Sequence, residues 1–257
     1  HADFDLPIAN IMHVDCPHHW MFAEDGESEV DFATRLAANL EKRILEEGPE
    51  TVAAFIAEPI MGAGGVIVAP EGYHARMAAV CADNEIKYIS DEVVTAFGRL
   101  GHYFASKDVF DVTPDIITTA KGLTSGYQPM SATIISDEIH DVISEPGEKF
   151  LHGMTYSGHP AASAAALANI ALLESERIPE RVRTTGKIFE NALRGLSDME
   201  IVGEVRGSHF MMGIEFVKDK ASKKEFEEHE AIGLKVAQAC QARGLIARPL
   251  GNILILS

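Results

Sequence analysis

The chain has 257 residues, which is enough to bury a large core in one or two domains. Its 22 basic and 39 acidic residues give a formal net charge of −17, which excludes nucleic acids and anionic membrane surfaces as partners because both would repel it. Three widely spaced cysteines are typical of a reducing compartment, so we expect a cytoplasmic protein. No apolar run is long enough to span a bilayer, and the N-terminus lacks the charged-then-apolar pattern of a signal peptide.

An amphipathic helix is the first regular element that the sequence predicts. Ser28 and Asp31 have the spacing of a capping box, with aspartate in the place usually taken by glutamate or glutamine. The Gly-Pro pair at 48–49 ends the helical pattern. The side chains expected on the buried face are Phe32, Leu36, Leu40 and Ile44.

Three short apolar runs then end in charged residues. Residues 51–57 precede Glu58, residues 85–90 precede Asp91, and residues 115–120 precede Lys121. Continuous apolar runs separated by helical stretches are typical of buried parallel strands, and ligands bind at the carboxyl ends of such strands. We therefore expect Glu58, Asp91 and Lys121 to converge on one edge of one sheet.

The remaining segments predict an α/β domain followed by a smaller α+β domain. Residues 1–175 add a helix at 70–84, a short helical turn within 101–114, a strand at 130–136 and an Ala-rich helix beginning at Pro160. Beyond about residue 175 the pattern changes. We therefore place a second domain at residues 176–257, with helices at 178–196 and 225–243, strands at 199–205 and 209–216, and a final strand pair.

Two local motifs suggest other classes of site. Residues 13–19, HVDCPHH, offer ligand types that suit zinc, but the spacing matches no standard finger and only one cysteine is present. Residues 61–65, MGAGG, follow a strand as a dinucleotide-binding turn does, but lack the G-x-G-x-x-G spacing and lead into an apolar run, not a helix. We assign neither a metal site nor a dinucleotide site.

Three longer motifs resemble the class III aminotransferases, in that family's order. Residues 91–101 (DEVVTAFGRLG) resemble its cofactor-aspartate motif, residues 114–122 (PDIITTAKG) its lysine motif, and residues 154–160 (MTYSGHP) its phosphate-binding segment. The resemblance runs from residues 3–7 (DFDLP) to the last residue. It implies the aspartate aminotransferase-like fold of pyridoxal phosphate-dependent transferases, with most of the sheet parallel.

The resemblance also implies a role for each matching residue. Lys121 would hold pyridoxal 5′-phosphate covalently and move a proton, which requires an amine that partial burial keeps uncharged for part of the time. Asp91 would pair with the ring nitrogen. Val93 would pack against the ring, because side chains two apart in an extended strand share a face. Val94 stands where many relatives have glutamine, which puts a contact to the ring hydroxyl in doubt.

Three further residues match positions outside the cofactor ring. Thr155 would bind the phosphate of a cofactor held mainly by the other subunit, making a homodimer or a dimer of dimers necessary for activity, although a threonine before a helix can also be a plain cap. Arg248 resembles an arginine that in the amine:pyruvate branch of the family moves in to bind a substrate carboxylate, or it is a surface arginine without that role. Glu58 would support the floor of the site, or be only a carboxylate at a strand end.

Together these matches favour transamination of an amine or ω-amino acid with pyruvate or another 2-oxo acid as acceptor. The alternatives are an aminomutase or decarboxylase on the same framework, or a non-catalytic fragment or binding module. Two family features have no match here, namely a Gly-Ser segment at the phosphate and an aromatic residue that stacks on the ring. We therefore expect an internal portion of an aminotransferase, truncated at both ends.

Overall fold

A computed structural model describes residues 8–257 of the chain. The segment DFDLP at 3–7, which carries the start of the family resemblance, lies outside the described residues. None of the helices within 8–257 combines the length and the apolar character that crossing a lipid bilayer requires.

The N-terminal helices begin with a short one, α1 (His19–Phe22), and continue with the predicted amphipathic helix, α2 (Glu29–Glu47). Ser28 caps α2, since its hydroxyl oxygen accepts the Asp31 N–H at 3.1 Å and its hydroxyl donates to the Asp31 carboxylate at 2.7 Å. The predicted buried face is confirmed: Phe32, Leu36, Leu40 and Ile44 are all buried.

A four-stranded sheet lies in the N-terminal half of the chain. It contains β1 (Ala54–Ala57), β4 (Lys87–Asp91), β5 (Ile116–Thr119) and β6 (Ala132–Ile135), in that spatial order. β1, β4 and β5 are parallel, as predicted, while β6 runs antiparallel to β5. The fold is that of an α/β protein with a mixed, mostly parallel sheet.

Helices and a hairpin connect these strands. β2 (Ile60–Met61) and β3 (Ile67–Val68) form an antiparallel hairpin after β1. Helix α3 (Tyr73–Asp83) leads into β4, and α4 (Ala105–Asp108) is the short helical turn predicted within 101–114. Side chains from α2, α3, β1 and β4 form one apolar core, which includes Phe32, Phe55, Met77 and Tyr88.

After β6 come α5 (Asp137–Ile143), which the sequence did not predict, and the predicted Ala-rich helix α6 (Pro160–Ser175). Helix α7 (Ile178–Arg194) follows within three residues. The expected domain boundary at 175/176 therefore falls between two helices, and the division into domains stays a prediction.

A second sheet lies in the C-terminal part, with spatial order β10 (Arg248–Leu250), β11 (Ile253–Leu256), β8 (Met211–Asp219) and β7 (Val202–Ser208). β9 (Lys224–Glu225) pairs with the end of β8. Every pairing in this sheet is antiparallel. Helices α7 and α8 (Ile232–Gln241) cover an apolar core that includes Val205, Met212, Phe216 and Leu254.

The expected helix at 225–243 is wrong in its first seven residues. Residues 224–225 pair as β9, and residues 228–230 form a single 3-10 turn before α8 begins at Ile232. Ala231 breaks the helical path because its φ of +47° is left-handed. The acidic run at 227–230 bonds its own backbone, since the Glu230 carboxylate accepts the Glu227 N–H at 2.8 Å.

Candidate functional site

The predicted convergence at one sheet edge is present in the structure. Glu58 directly follows β1, Asp91 is the last residue of β4, and Lys121 lies two residues after β5. The register pairs Ala57 with Ser90, and Asp91 with Thr118, so the three parallel strands end at the same level. The carboxyl ends of β1, β4 and β5 therefore bring two carboxylates and one amine to a single edge.

Glu58 lies at this edge with its side chain half-buried. Its carboxylate accepts the Gly62 N–H at 2.8 Å, which ties the strand end to the β2–β3 hairpin. Burial raises the pKa of Glu58 above its ordinary value, against the Gly62 hydrogen bond, which lowers it. The Asp91 charge raises that pKa further and the Lys121 charge lowers it. The pKa of Glu58 therefore depends on the charges of both Asp91 and Lys121.

Asp91 has a fixed carboxylate. Its Oδ1 accepts the Val93 N–H at 3.0 Å, which uses one oxygen and orients the group at the end of β4. We expected Val93 to share a face with Asp91 in an extended strand, and this expectation is wrong. β4 ends at Asp91, and Val93 lies in the following turn. The turn closes through the Val93 N–H itself, so Val93 is placed by this hydrogen bond and not by the pleat of a strand.

Glu92, the next residue, is fully buried and was missed by the sequence reasoning. Its carboxylate accepts the N–H groups of Ala105 at 2.8 Å and Ser106 at 2.7 Å, together with the hydroxyls of Thr95 and Ser106. Glu92 therefore caps α4 from a distance. The available signal was a missing cap, since Phe104 precedes α4 and has no side chain that could accept these donors.

Lys121 begins a tight turn after β5. Its φ is +36°, a left-handed conformation that a non-glycine residue adopts only with strain. The partial burial expected for Lys121 is wrong for this chain, in which its side chain is exposed. The next residue is a glycine because a side chain would not fit there. An added Cβ on Gly122 would lie 3.0 Å from the Phe97 Cβ and 3.1 Å from the Ala96 carbonyl oxygen.

Thr155 lies apart from the sheet edge, in an exposed turn five residues before α6. It does not cap that helix, because the His159 side chain accepts the Ala162 N–H at 3.4 Å at the N-cap position. Within residues 8–257 no hydrogen bond joins Thr155 to Asp91 or Lys121, so one copy of the chain does not bring these groups together by direct contact.

Arg248 lies in the C-terminal sheet. It is the first residue of β10, paired in register with Ile255, and its side chain is exposed. Among the described residues it forms no ion pair, which leaves its guanidinium available to a carboxylate. Within residues 8–257 no hydrogen bond or ion pair joins Arg248 to Asp91 or Lys121.

The side chains of residues 13–19, the histidine-rich segment, do not form a cluster of metal ligands with one another. His18 instead bonds Glu204 at 2.9 Å, and these two side chains lie with Glu215 in a cluster whose ligand atoms are within 4.8 Å of one another. The positive charge of Arg206 already balances these carboxylates, since its Nη1 donates to Glu204 at 2.8 Å and to Glu215. Burial raises the pKa of Glu204, but the His18 and Arg206 contacts outweigh it and lower that pKa overall.

The glycine-rich segment at 61–65 is the turn of the β2–β3 hairpin and leads into a strand, as the sequence indicated. A Cβ on Gly62 would lie 3.1 Å from Val94, and one on Gly65 would lie 2.6 Å from Ile253 of β11. The Arg206 Nε–H also donates to the Gly65 carbonyl oxygen at 2.9 Å. The hairpin therefore packs between the Asp91 turn and the C-terminal sheet.

The residues at the sheet edge fit a cofactor with a basic ring nitrogen and an aldehyde. A carboxylate held by the Val93 N–H suits a protonated ring nitrogen, and an amine on the neighbouring strand end suits the aldehyde. Asp91 and Lys121 are the residues that would hold such a cofactor. The buried Glu92 beneath them fixes the segment that carries Asp91.

Comparisons with known proteins agree with this geometry. The aminotransferase class III family profile matches residues 1–256. Gamma-aminobutyrate transaminase 1, mitochondrial, of Oryza sativa subsp. indica is 44% identical over 260 residues, covering 100% of this chain and 50% of that protein. The tomato (Solanum lycopersicum) protein named gamma aminobutyrate transaminase 1, mitochondrial, has the same identity and coverage. The chain thus spans about half the length of the curated relatives it matches.

Solved structures extend the comparison to three dimensions. The omega transaminase of Pseudomonas jessenii in complex with PMP superposes with a TM-score of 0.92 at 42% identity, over 98% of this chain and 56% of that one. A transaminase with L-alanine superposes with a TM-score of 0.91 at 43% identity, over 100% of this chain and 56% of that one. The expected fold is confirmed by these superpositions.

Proposed function

Because the chain belongs to the class III aminotransferase family, whose members use pyridoxal phosphate, we propose that the full-length protein transfers an amino group from an amine or ω-amino acid to pyruvate or another 2-oxo acid. With pyruvate, the donor carbon gives up its amino group and two electrons and becomes a carbonyl, while pyruvate takes both and becomes alanine. The observation that carries this proposal is the meeting of Asp91 and Lys121 at one sheet edge.

The cofactor, when bound, supplies a ring that withdraws electrons from the reacting substrate carbon. Lys121 is assigned to hold the cofactor and to move a proton at that carbon. Asp91 is assigned to the ring nitrogen, where its charge favours the protonated ring. Val93 is assigned to the ring face, and Glu58, whose pKa burial raises, to a supporting position from which it can hold a proton.

The substrate class is supported by the named relatives. Two relatives at 44% identity are named for gamma-aminobutyrate, a substrate whose amine is remote from its carboxylate. One structural neighbour is described with L-alanine, the amino acid that pyruvate becomes. An ω-amine donor and a pyruvate acceptor are therefore the pair that these similarities favour.

Thr155 is assigned to a shared site in a homodimer or a dimer of dimers. It lies in an exposed turn flanked by apolar side chains, of which Leu151 is 91% exposed and Tyr156 is 80% exposed. Exposed apolar groups of this size are typical of a surface that another chain covers. A second subunit in this place would bring Thr155 to the phosphate of the neighbouring cofactor.

Arg248 provides the experiment that tests the acceptor. Pyruvate has a carboxylate and a simple amine has none, so an exposed, unpaired arginine should matter to one half-reaction only. We expect Arg248→Ala in the full-length enzyme to slow the single-turnover reaction with pyruvate about 10-fold to 100-fold, the loss of charge-assisted hydrogen bonds worth about 1.5–3 kcal/mol. The half-reaction with an amine that lacks a carboxylate should change less than about threefold.

Arg243→Ala is a matched control, because Arg243 is an exposed arginine whose side chain, among residues 8–257, bonds only the Ala239 carbonyl of its own segment. It should leave both half-reactions unchanged. Equal losses in the two half-reactions of Arg248→Ala would contradict the assigned carboxylate contact. A preference for 2-oxoglutarate over pyruvate in the wild-type enzyme, measured with the same acceptor panel, would overturn the acceptor assignment itself.

A further inference from the structure

The side chain of Asn169, on α6, forms hydrogen bonds to the turn that begins at Lys121. The Asn169 Nδ2 donates to the carbonyl oxygens of Gly122 at 2.8 Å and Leu123 at 3.1 Å. Its Oδ1 accepts the Ser125 hydroxyl at 2.8 Å. Three of the four residues after Lys121 are therefore bonded to one amide, which lies 44 to 47 residues further along the chain.

Hydrogen bonds within the turn differ in length. The Leu123 N–H donates to the Ala120 carbonyl oxygen at 2.9 Å, whereas the next two bonds are longer. The Thr124 N–H reaches the Lys121 carbonyl at 3.3 Å, and the Ser125 N–H reaches the Gly122 carbonyl at 3.3 Å, both beyond the usual range for N–H···O bonds. The turn also contains two left-handed non-glycine residues, Lys121 with φ +36° and Ser125 with φ +49°. Such a turn keeps its shape only if its surroundings hold it.

The turn is also held by packing. Gly122 lies against Phe97 and Ala96, which belong to the segment that follows Asp91. The turn that begins at Lys121 thus contacts both that segment and, through Asn169, the helix that follows the phosphate-binding motif.

The orientation of the Asn169 amide follows from its partners. Gly122 and Leu123 present carbonyl oxygens, which accept only, so the amide nitrogen must face them. An aspartate of the same shape would place an oxygen against two carbonyl oxygens. The contact therefore depends on the amide hydrogens and not on the volume of the side chain.

We propose that Asn169 is a positioning residue that holds the Lys121 turn in its left-handed conformation and thereby sets the position and reactivity of the Lys121 amine. This inference rests on the assignment of Lys121 as the residue that holds the cofactor. It goes further by identifying what keeps that lysine in place, on a residue that belongs to none of the three family motifs.

A test in the full-length apoenzyme uses two readouts. The first is the rate at which added pyridoxal phosphate is captured, followed by absorbance. The second is the rate of acetylation of Lys121 by acetic anhydride as a function of pH, quantified by mass spectrometry. We expect Asn169→Ala to slow capture roughly tenfold and to shift the acetylation profile of Lys121, because three hydrogen bonds to the turn are lost.

Asn169→Asp distinguishes hydrogen bonding from packing. It keeps the shape of the side chain and should be at least as damaging as Asn169→Ala, whereas a residue that acts only by packing would tolerate it. Ser175→Ala is the control on the same helix, because in the part of the chain that the structure describes the Ser175 hydroxyl bonds only the Leu172 carbonyl within α6. It should capture the cofactor at the wild-type rate.

The inference is overturned if both Asn169 variants match the wild type in capture and in acetylation, or if Asn169→Asp alone does. Failure of Asn169→Ala to fold would also contradict it, since alanine is the better helix former and a positioning residue should leave the fold intact. Borohydride reduction of the wild-type holoenzyme separates the two assignments. An adduct on a lysine other than Lys121 refutes the assigned cofactor lysine, whereas an adduct on Lys121 beside unaffected Asn169 variants refutes only the role of Asn169.

Discussion

Lowering the pH from neutral should destabilise the protein through one buried histidine, His74. This side chain is 5% exposed and lies behind the site, where its Nε2 bonds the Pro59 carbonyl at 3.0 Å and its Nδ1 bonds the Tyr88 hydroxyl at 2.9 Å. A carbonyl only accepts, so Nε2 carries the proton and Nδ1 accepts from Tyr88. Burial lowers the pKa of His74 from 6.5 to about 4, against a weaker effect of the Pro59 hydrogen bond.

The sign and size of the effect follow from this shift. His74 stays neutral in the folded protein, while the unfolded chain takes up a proton below its ordinary pKa. Its stabilising contribution is therefore complete above about pH 6.5 and is lost as the pH falls towards 4. Between about pH 7 and about pH 5, the linkage relation gives a loss of about 2 kcal/mol in the free energy of unfolding.

Urea unfolding at the two pH values, followed by circular dichroism, measures this loss. The variant His74→Gln cannot be protonated, so its free energy of unfolding should fall by about 2 kcal/mol less than that of the wild type over the same interval. Carboxylates titrate alike in both proteins, so their contributions cancel in the comparison. Burial raises the pKa of Glu190, but its hydrogen bonds and ion pairs lower that pKa to about 2, so this group destabilises the protein only below about pH 4.5. Equal pH-dependent losses in the wild type and in His74→Gln would refute the reasoning.

Three further outcomes are expected in the full-length enzyme. Asp91→Asn should lower kcat about 100-fold or more with a smaller change in KM, because the ring nitrogen loses its counter-charge; near-normal turnover would show that Asp91 does not face the ring. Glu92→Gln should lower the free energy of unfolding by about 2–3 kcal/mol, because the new amide N–H groups would face the N–H donors of Ala105 and Ser106. The control Glu71→Gln, at an exposed position, should have no effect, and an unchanged free energy of unfolding in Glu92→Gln would contradict the capping role of Glu92. Mixing inactive Lys121→Ala with weakly binding Thr155→Ala subunits should restore activity through heterodimers with one intact site, and no recovery despite measured subunit exchange would exclude a shared site.

Much of the sheet edge could be predicted because its signals are local. The runs before Glu58, Asp91 and Lys121 are short, apolar and each followed by a charged residue, and the parallel pairing then sets their ends at one level. The α2 cap and buried face are equally local, since every partner lies within one or two helical turns. Such patterns need no knowledge of tertiary contacts.

Other features depend on contacts that the sequence does not display. The amide of Asn169 reaches residues 46 and 47 positions away, and Glu92 caps a helix 13 and 14 positions away. The α8 prediction began seven residues early because the acidic run at 227–230 has helical propensity but bonds its own backbone in a 3-10 turn. In each case a tertiary or side-chain hydrogen bond outweighs the local pattern.

The central claim is that the full-length protein holds pyridoxal phosphate covalently on Lys121. Borohydride reduction of the cofactor-loaded enzyme, followed by proteolysis and mass spectrometry, measures this directly. We expect a stable adduct on the peptide that contains Lys121, and no adduct in a Lys121→Ala control. An adduct on any other lysine, or no adduct in enzyme shown to contain the cofactor, would contradict it.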